Sequence, residues 1–183
     1  MGVRNYLIDG VSGSGKTAVC KELQRRGYHA VNGDRELAYL GDPETGEPAA
    51  DLTHEPSAIF RSEHHIWNVK KLETLVADHD EAVSFFCGNS RNSSRFIDLF
   101  DGVFVLEIDA DTLNRRIDER VALDPTDWGA TPTEREIIAR LHQTQEAIPG
   151  GGVTIDATRP LELVVDEILS KCTVASPPPS PAD

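Results

Sequence analysis

The chain has 183 residues, of which 39% are hydrophobic and 27% charged; that is enough to bury one core and too few for two ordinary domains. Its formal charge of -13 excludes a protein that grips nucleic-acid backbone, since that affinity comes from clustered Lys and Arg. No apolar run approaches the ~20 residues that would span a bilayer, so a soluble protein acting on a small diffusible partner is expected, without nucleic acid or membrane.

The first predicted element is a strand around Tyr6, Leu7 and Ile8, followed by Gly10-Val11-Ser12-Gly13-Ser14-Gly15-Lys16-Thr17 and a helix over 16–26 that stops at Gly27. Glycines at this spacing let the backbone wrap a β-phosphate with its amides pointing inward, and the helix adds its positive end. Lys16 supplies a point charge between the β- and γ-phosphates, and the Thr17 hydroxyl is placed to ligate Mg²⁺. A nucleoside triphosphate is therefore the expected ligand. The three cysteines, Cys20, Cys87 and Cys172, are odd in number and irregularly spaced, which fits neither a disulfide framework nor a zinc site. Together with the lack of a basic-then-apolar leader, they point to a cytoplasmic protein.

A second strand is predicted over 29–31, ending at Asn32-Gly33-Asp34. The segment 41–56 is rich in Pro, Gly, Asp and Glu and reads as a long surface excursion. A helix over 57–78 would present Ile66, Val69, Leu72, Leu75 and Val76 on one face. The runs 82–87 and 102–108 suit strands buried on both faces, with a short helix or turn over 93–100 between them. Asp109 or Asp111 can cap a helix that carries Leu113, Ile117 and Val121 inward and sets Arg116 and Arg120 on another face. A loop over 123–132 separates it from a helix starting near 133 and closed by the glycines at 150–152. A last strand over 153–155 and a last helix over 161–171 follow, and the Pro-rich end at 173–183 reads as a disordered tail. Five apolar strands alternating with helices predict a parallel sheet covered on both faces, with ligands at the carboxyl ends of the strands.

In this order the motifs resemble the nucleoside monophosphate kinase group of P-loop proteins, adenylate kinase and its relatives, with shikimate kinase a close second. Asn32-Gly33-Asp34 is similar to the Gly-Asp or Asp-x-Asp element after the second strand, and Cys87-Gly88-Asn89-Ser90-Arg91 to the Asp-Gly-Phe-Pro-Arg element after the third, matching at Gly88 and Arg91. Arg116 and Arg120 match the start of the lid, Arg140-Leu141 the Arg-Leu after it, and Ile155-Asp156-Ala157-Thr158, followed by Pro160, the loop that borders the adenine. Asn32 and Cys87 stand where the relatives place carboxylates, which leaves Thr17, the phosphates and water to hold Mg²⁺. The resemblance implies a three-layer α/β/α P-loop kinase fold over 1–172, with a five-stranded parallel sheet, an acceptor-binding insertion at about 35–80 and a short lid at about 121–135. The implied protein, monomer or homodimer, uses ATP and Mg²⁺ to phosphorylate a small acceptor such as a nucleoside, nucleotide or polyol.

Moving a γ-phosphoryl group asks a protein mainly to position two substrates and to neutralise spreading charge. Gly10, Ser12, Gly13, Ser14, Gly15, Lys16 and Thr17 are the expected phosphate cradle, with Arg116, Arg120 and Arg140 closing over it and Thr158 and Pro160 beside the base. Lys16, Asp34 and Arg120 are the expected catalytic residues. Asp34 would take the proton of a hydroxyl acceptor, or else Arg61 and Arg91 would bind a phosphate acceptor, with Trp67 and Gly88 completing that side. His64 and His65, adjacent on a predicted helix, are expected on different faces and not as a metal pair. Trp128 is expected as a packing anchor. The alternatives from other classes are a P-loop ATPase of the mechanical AAA type, disfavoured because the strand at 82–87 ends in Cys87-Gly88 rather than Asp-Glu, and a nucleotide-binding regulator without acceptor chemistry.

Overall fold

The computed structural model describes residues 4–50, 54–78 and 80–172; the expected tail at 173–183 lies outside them. Strands β1 (Arg4–Asp9), β2 (His29–Asn32), β5 (Val83–Cys87), β6 (Gly102–Glu107) and β7 (Val153–Asp156) form one parallel sheet in the order β2-β5-β1-β6-β7. All five of these strands were legible in the sequence to within two residues at each end. Strand β3 (Ala38–Leu40) pairs antiparallel with β4 (His65–Trp67) in a separate small sheet.

The alternation along each central strand builds three layers. In β1 and β5, Tyr6, Ile8, Phe85 and Cys87 turn toward one side, where they pack with α1 (Lys16–Arg25), α5 (Ala110–Leu123), α6 (Pro132–Thr144) and α7 (Leu161–Lys171) through Val19, Leu23, Ile117, Ile138 and Val165. Leu7 and Phe86 turn the other way and join Leu37, Trp67, Leu72 and Phe96 in a second core. The period of two in the strands thus feeds two helical or loop layers at once. Among the described residues no helix is long and apolar enough to cross a membrane.

The expected single helix over 57–78 is three elements: α3 (Ala58–Glu63), β4 and α4 (Val69–Val76). The physical reason is Asn68, whose side chain accepts from the Lys71 N–H and starts a new helix, while His65–Trp67 satisfy their backbone against Ala38–Leu40. The apolar spacing that suggested one helix belongs to α4 from Val69 onward. Part of the expected surface excursion at 41–56 is also ordered, since Gly41 bridges Pro48 and the Tyr39 hydroxyl donates to the Gly46 carbonyl at 2.6 Å.

This break corrects the assignment of Trp67 as an acceptor contact. Trp67 is fully buried and stacks on Phe96, with ring centroids 5.4 Å apart and planes within 3°. Its backbone N–H is accepted by Ser90 Oγ and Asn92 Oδ1, and its carbonyl takes a bond from Asn92 Nδ2. Trp67→Ala is expected to cost about 3–5 kcal/mol, the range for deleting a buried aromatic, in urea unfolding. A tryptophan serving only a ligand would cost a few tenths.

Candidate active site

The carboxyl ends of β1 and β5 face a crevice at the point where the chain's crossovers diverge, β1 leading to β2 on one side and β5 to β6 on the other. Ligands of open parallel sheets belong there. The phosphate loop follows β1, and its shape fits a polyphosphate. Gly13 and Gly15 adopt φ of 88° and 107°, left-handed values that favour glycine. A Cβ on Gly10 would come within 2.6 Å of Ser14 Oγ, and one on Gly13 within 2.8 Å of Leu113. Helix α1 begins at Gly15 with no side-chain cap, whereas Ser57, Asn68, Asp109 and Thr131 cap α3, α4, α5 and α6. The first-turn amides of α1 are left for an anion. The buried Ser14 hydroxyl has no hydrogen-bond partner, and the Lys16 ammonium donates to the Gly10 and Val11 carbonyls at 2.5 and 3.1 Å, so the cation stays at the loop.

A cavity of about 500 Å³ opens from this loop. Val11, Ser12 and Lys16 of the loop line it together with Asp34, His65, Asn89 and Arg91. Asp34 sits in α2 (Gly33–Glu36), directly after β2, and its Oδ1 accepts from His65 Nε2 at 3.3 Å and from the Asn89 N–H at 3.0 Å. Burial pulls its carboxyl upward, but the His65 hydrogen bond, the Lys16 charge and the Asn89 N–H together hold it below the ordinary carboxylate range. Gly88 makes this approach possible, because a Cβ there would lie 2.6 Å from Asp34 Oδ1 and 2.5 Å from the Trp67 ring. It stands behind the carboxylate and is absent from the residues that line the cavity.

Arginines brace the cleft. Arg120 donates to Ser12 Oγ at 3.3 Å and to the Trp128 carbonyl, linking the phosphate loop to the loop between α5 and α6. Arg116 donates to the Ser14 and Ala157 carbonyls at 2.9 and 2.7 Å, tying the phosphate loop to the turn after β7. Arg61, from α3, pairs with Glu134 of α6 at 2.5 Å and lies 5.0 Å from the Trp128 ring centre. Arg91 is held by the Ser62 carbonyl at 2.8 Å and Ser62 Oγ at 3.2 Å. Arg140, expected over the nucleotide phosphates, is instead an exposed side chain paired with Glu146 at 3.4 Å, outside the cavity lining. Thr158 and Pro160 are exposed, with Thr158 bonded to Asp156. Trp128, expected only to pack, lines the cavity as well.

Three side chains at or beside the cleft were not among the expected site residues. Asp9, at the end of β1, is 1% exposed and accepts from the Gly10 N–H at 2.6 Å and Asn89 Nδ2 at 2.8 Å; burial pushes its carboxyl up to about 7, against the pull of Lys16. A carboxylate directly before the glycine loop was the available signal. Asn89 could be noticed only as a polar residue at a strand end. His65 was hidden by the false helix. For Mg²⁺ the donors fit a metal that arrives on a nucleotide: Thr17 lies in the first turn of α1, and among the described residues no cluster of three or more His, Cys, Asp or Glu forms a protein-only cage. Mg²⁺ commonly binds that way, keeping waters and phosphate oxygens. Cys87 is fully enclosed, and burial drives its thiol well up, so it packs rather than reacts.

The family model of an AAA domain matches residues 7–142. The chain belongs to this family of P-loop proteins. No curated protein matches it. Solved structures similar to it include a sugar kinase from a Janibacter species, at 20% identity and a TM-score of 0.53 over 94% of this chain and 96% of that one. A shikimate kinase from Bacteroides thetaiotaomicron is similar at 17% identity and a TM-score of 0.57, covering 91% and 97%. A deoxyadenosine kinase from M. mycoides is similar at 16% and 0.51, covering 92% and 98%. At these identities the likeness establishes the P-loop kinase fold, in agreement with the five-stranded parallel sheet flanked by helices.

Asp9 generates a pH prediction. Its carboxyl titrates at an ordinary 3.8 when unfolded and at about 7 when folded, so the folded state binds more protons between those values. Its stabilising contribution is complete below the lower value and is lost as pH rises through the upper one. Asp9→Asn removes this dependence, and its Tm relative to the parent is expected to rise between pH ~5 and pH ~8. A constant difference across that range would show that Asp9 ionises freely.

Proposed function

We propose that the protein is an ATP-dependent kinase that moves the γ-phosphoryl group to a hydroxyl of a small molecule. The observation that carries this is the pairing, in one cavity, of the phosphate loop with a carboxylate–imidazole pair: Lys16 and Ser12 line it together with Asp34 and His65. A phosphate acceptor needs no proton acceptor; a hydroxyl does. The arginines agree with this, since Arg61 is already paired with Glu134 and Arg91 is held by Ser62. The structural neighbours, a sugar kinase, a shikimate kinase and a deoxyadenosine kinase, support a small hydroxylated acceptor without choosing one.

The loop amides and Lys16 would bind the β- and γ-phosphates and stabilise the charge that builds on the equatorial oxygens. Arg120, bonded to Ser12, would hold the lid loop against the phosphate loop and exclude water. Mg²⁺ would be held by Thr17 and the phosphates and would neutralise the polyphosphate. The acceptor oxygen forms its bond to the γ-phosphorus, the bond to the β–γ bridging oxygen breaks, ADP departs, and the hydroxyl proton passes to the Asp34–His65 pair.

Mg-ATP with a panel of nucleosides, nucleoside monophosphates, sugars and sugar acids, scored by product mass, tests the proposal. A phosphorylated product with a new P–O bond at a hydroxyl is expected, whereas an ATPase of the same family would release phosphate at a rate no acceptor changes. Asp34→Asn is expected to lower acceptor-stimulated turnover about 10²-fold while Mg-ATP still binds in calorimetry. Lys16→Ala is expected to lose that binding.

A further inference from the structure

The geometry points to His65, not Asp34, as the group that removes the acceptor's proton, with Asp34 as the carboxylate that orients its ring. The inference rests on the kinase proposal and deepens it. Both hydrogen bonds to Asp34 fall on Oδ1, one from the Asn89 N–H and one from His65 Nε2. An ionised carboxylate can only accept, so the His65 nitrogen facing it carries the proton. The neutral ring then holds its lone pair on Nδ1, which has no hydrogen-bond partner among the described residues, while the side chain, 35% exposed, lines the cavity. A carboxylate that fixes the tautomer of an imidazole and leaves its other nitrogen bare is the general logic of a His–Asp pair acting as base.

The ring is held as such a base requires. The His65 carbonyl accepts from the Arg91 N–H at 2.9 Å, and two residues along β4 the Trp67 backbone is fastened by Ser90 and Asn92. The histidine therefore stands on a pinned strand rather than a loose loop, which is how a catalytic group keeps its aim. Asp34 is a poor base by comparison, because the contacts around it favour its charged form and a strongly ionised carboxylate has little appetite for a proton at neutral pH. The charged groups that share the cavity with the ring are Asp34, Lys16, Arg61, Arg91 and Asp127. In the transfer step the acceptor O–H bond breaks toward Nδ1, the oxygen bonds the γ-phosphorus, and the resulting imidazolium is stabilised by Asp34.

Two measurements test this. Long-range ¹H–¹⁵N spectra of the protein alone, without any acceptor, report the ring tautomer: Nε2–H with bare Nδ1 is expected for the neutral ring, and Nδ1–H would overturn the assignment. The second compares His65→Gln with His65→Ala, using whichever compound of the panel is phosphorylated from Mg-ATP. Glutamine can still donate to Asp34 but cannot take the proton, so both variants are expected to lose about 10²-fold in kcat, with KM for ATP little changed. Turnover kept by His65→Gln and lost by His65→Ala would make Asp34 the base and His65 only its support. If no compound of the panel is phosphorylated, the kinase proposal fails by that result, and the tautomer spectra decide the His65 assignment separately.

Discussion

Asp34 is joined to the phosphate loop through one residue, Asn89. Its backbone N–H holds Asp34, and its side-chain amide donates to Asp9 at 2.8 Å and to the Ala147 carbonyl at 2.9 Å. Asp9 in turn accepts from the first amide of the phosphate loop. Three separate segments therefore meet on one residue, which leaves the sheet beside β1, where the Gly88 N–H bonds the Ile8 carbonyl. Phosphoryl transfer depends on holding two reactants within a fraction of an ångström of the reactive geometry. In this protein the spacing between Asp34 and the phosphate loop is set by a short bridge between adjacent parallel strands, not by a long loop.

The bridge is possible because the neighbouring positions are so constrained. Gly88 has no side chain and lets the Asp34 carboxylate and the Trp67 ring approach together. Ser90, Arg91 and Asn92 then bond successively to β4. The five residues after β5 thus act as a buckle: alternate groups fasten the second core on one side and the reacting groups on the other. Burial raises the stakes, since a polar group placed here without its partner would lose its water and gain nothing. The unusual feature is Asp9, a carboxyl buried next to a site that receives a polyanion. Its elevated titration means that part of its charge can be given up as phosphate approaches, which lessens a repulsion that a fully ionised carboxylate would impose.

The sheet was legible because β1, β2, β5, β6 and β7 are short apolar runs bounded by Gly, Asn or Asp, and the glycine loop fixed the first crossover. Lys16, Asp34 and the loop glycines were recognisable because their chemistry is tied to local spacing. The β3–β4 pair was not, because Ala38–Leu40 and His65–Trp67 are three residues each and their pairing is a tertiary fact that no local period records. One wrong helix then concealed two things together: it turned Trp67 from core into a ligand contact, and it sent His65 away from Asp34. Asn89 was hidden for a different reason. An asparagine after a strand looks like any turn residue, and its value here lies wholly in what Asp9, Asp34 and Ala147 bring to it from elsewhere in the chain.

The distribution of positive charge follows from the same economy. In a chain of net charge -13, the guanidinium groups around the cleft are engaged with protein acceptors: Arg61 with Glu134, Arg91 with Ser62, Arg116 with two carbonyls and Arg120 with Ser12 and the lid backbone. Glu134 also accepts from the Gly129 and Thr131 N–H groups, so the Arg61 pair anchors the lid loop and the start of α6 together. A planar guanidinium suits this role, since its several donors can bind two segments at once. The walls of the cleft are therefore built by arginines, and the charge left at the phosphate loop comes from Lys16 and the uncapped start of α1. Such a division ties the walls of the cleft to one another through protein acceptors, and it leaves the attraction for phosphate to the loop itself.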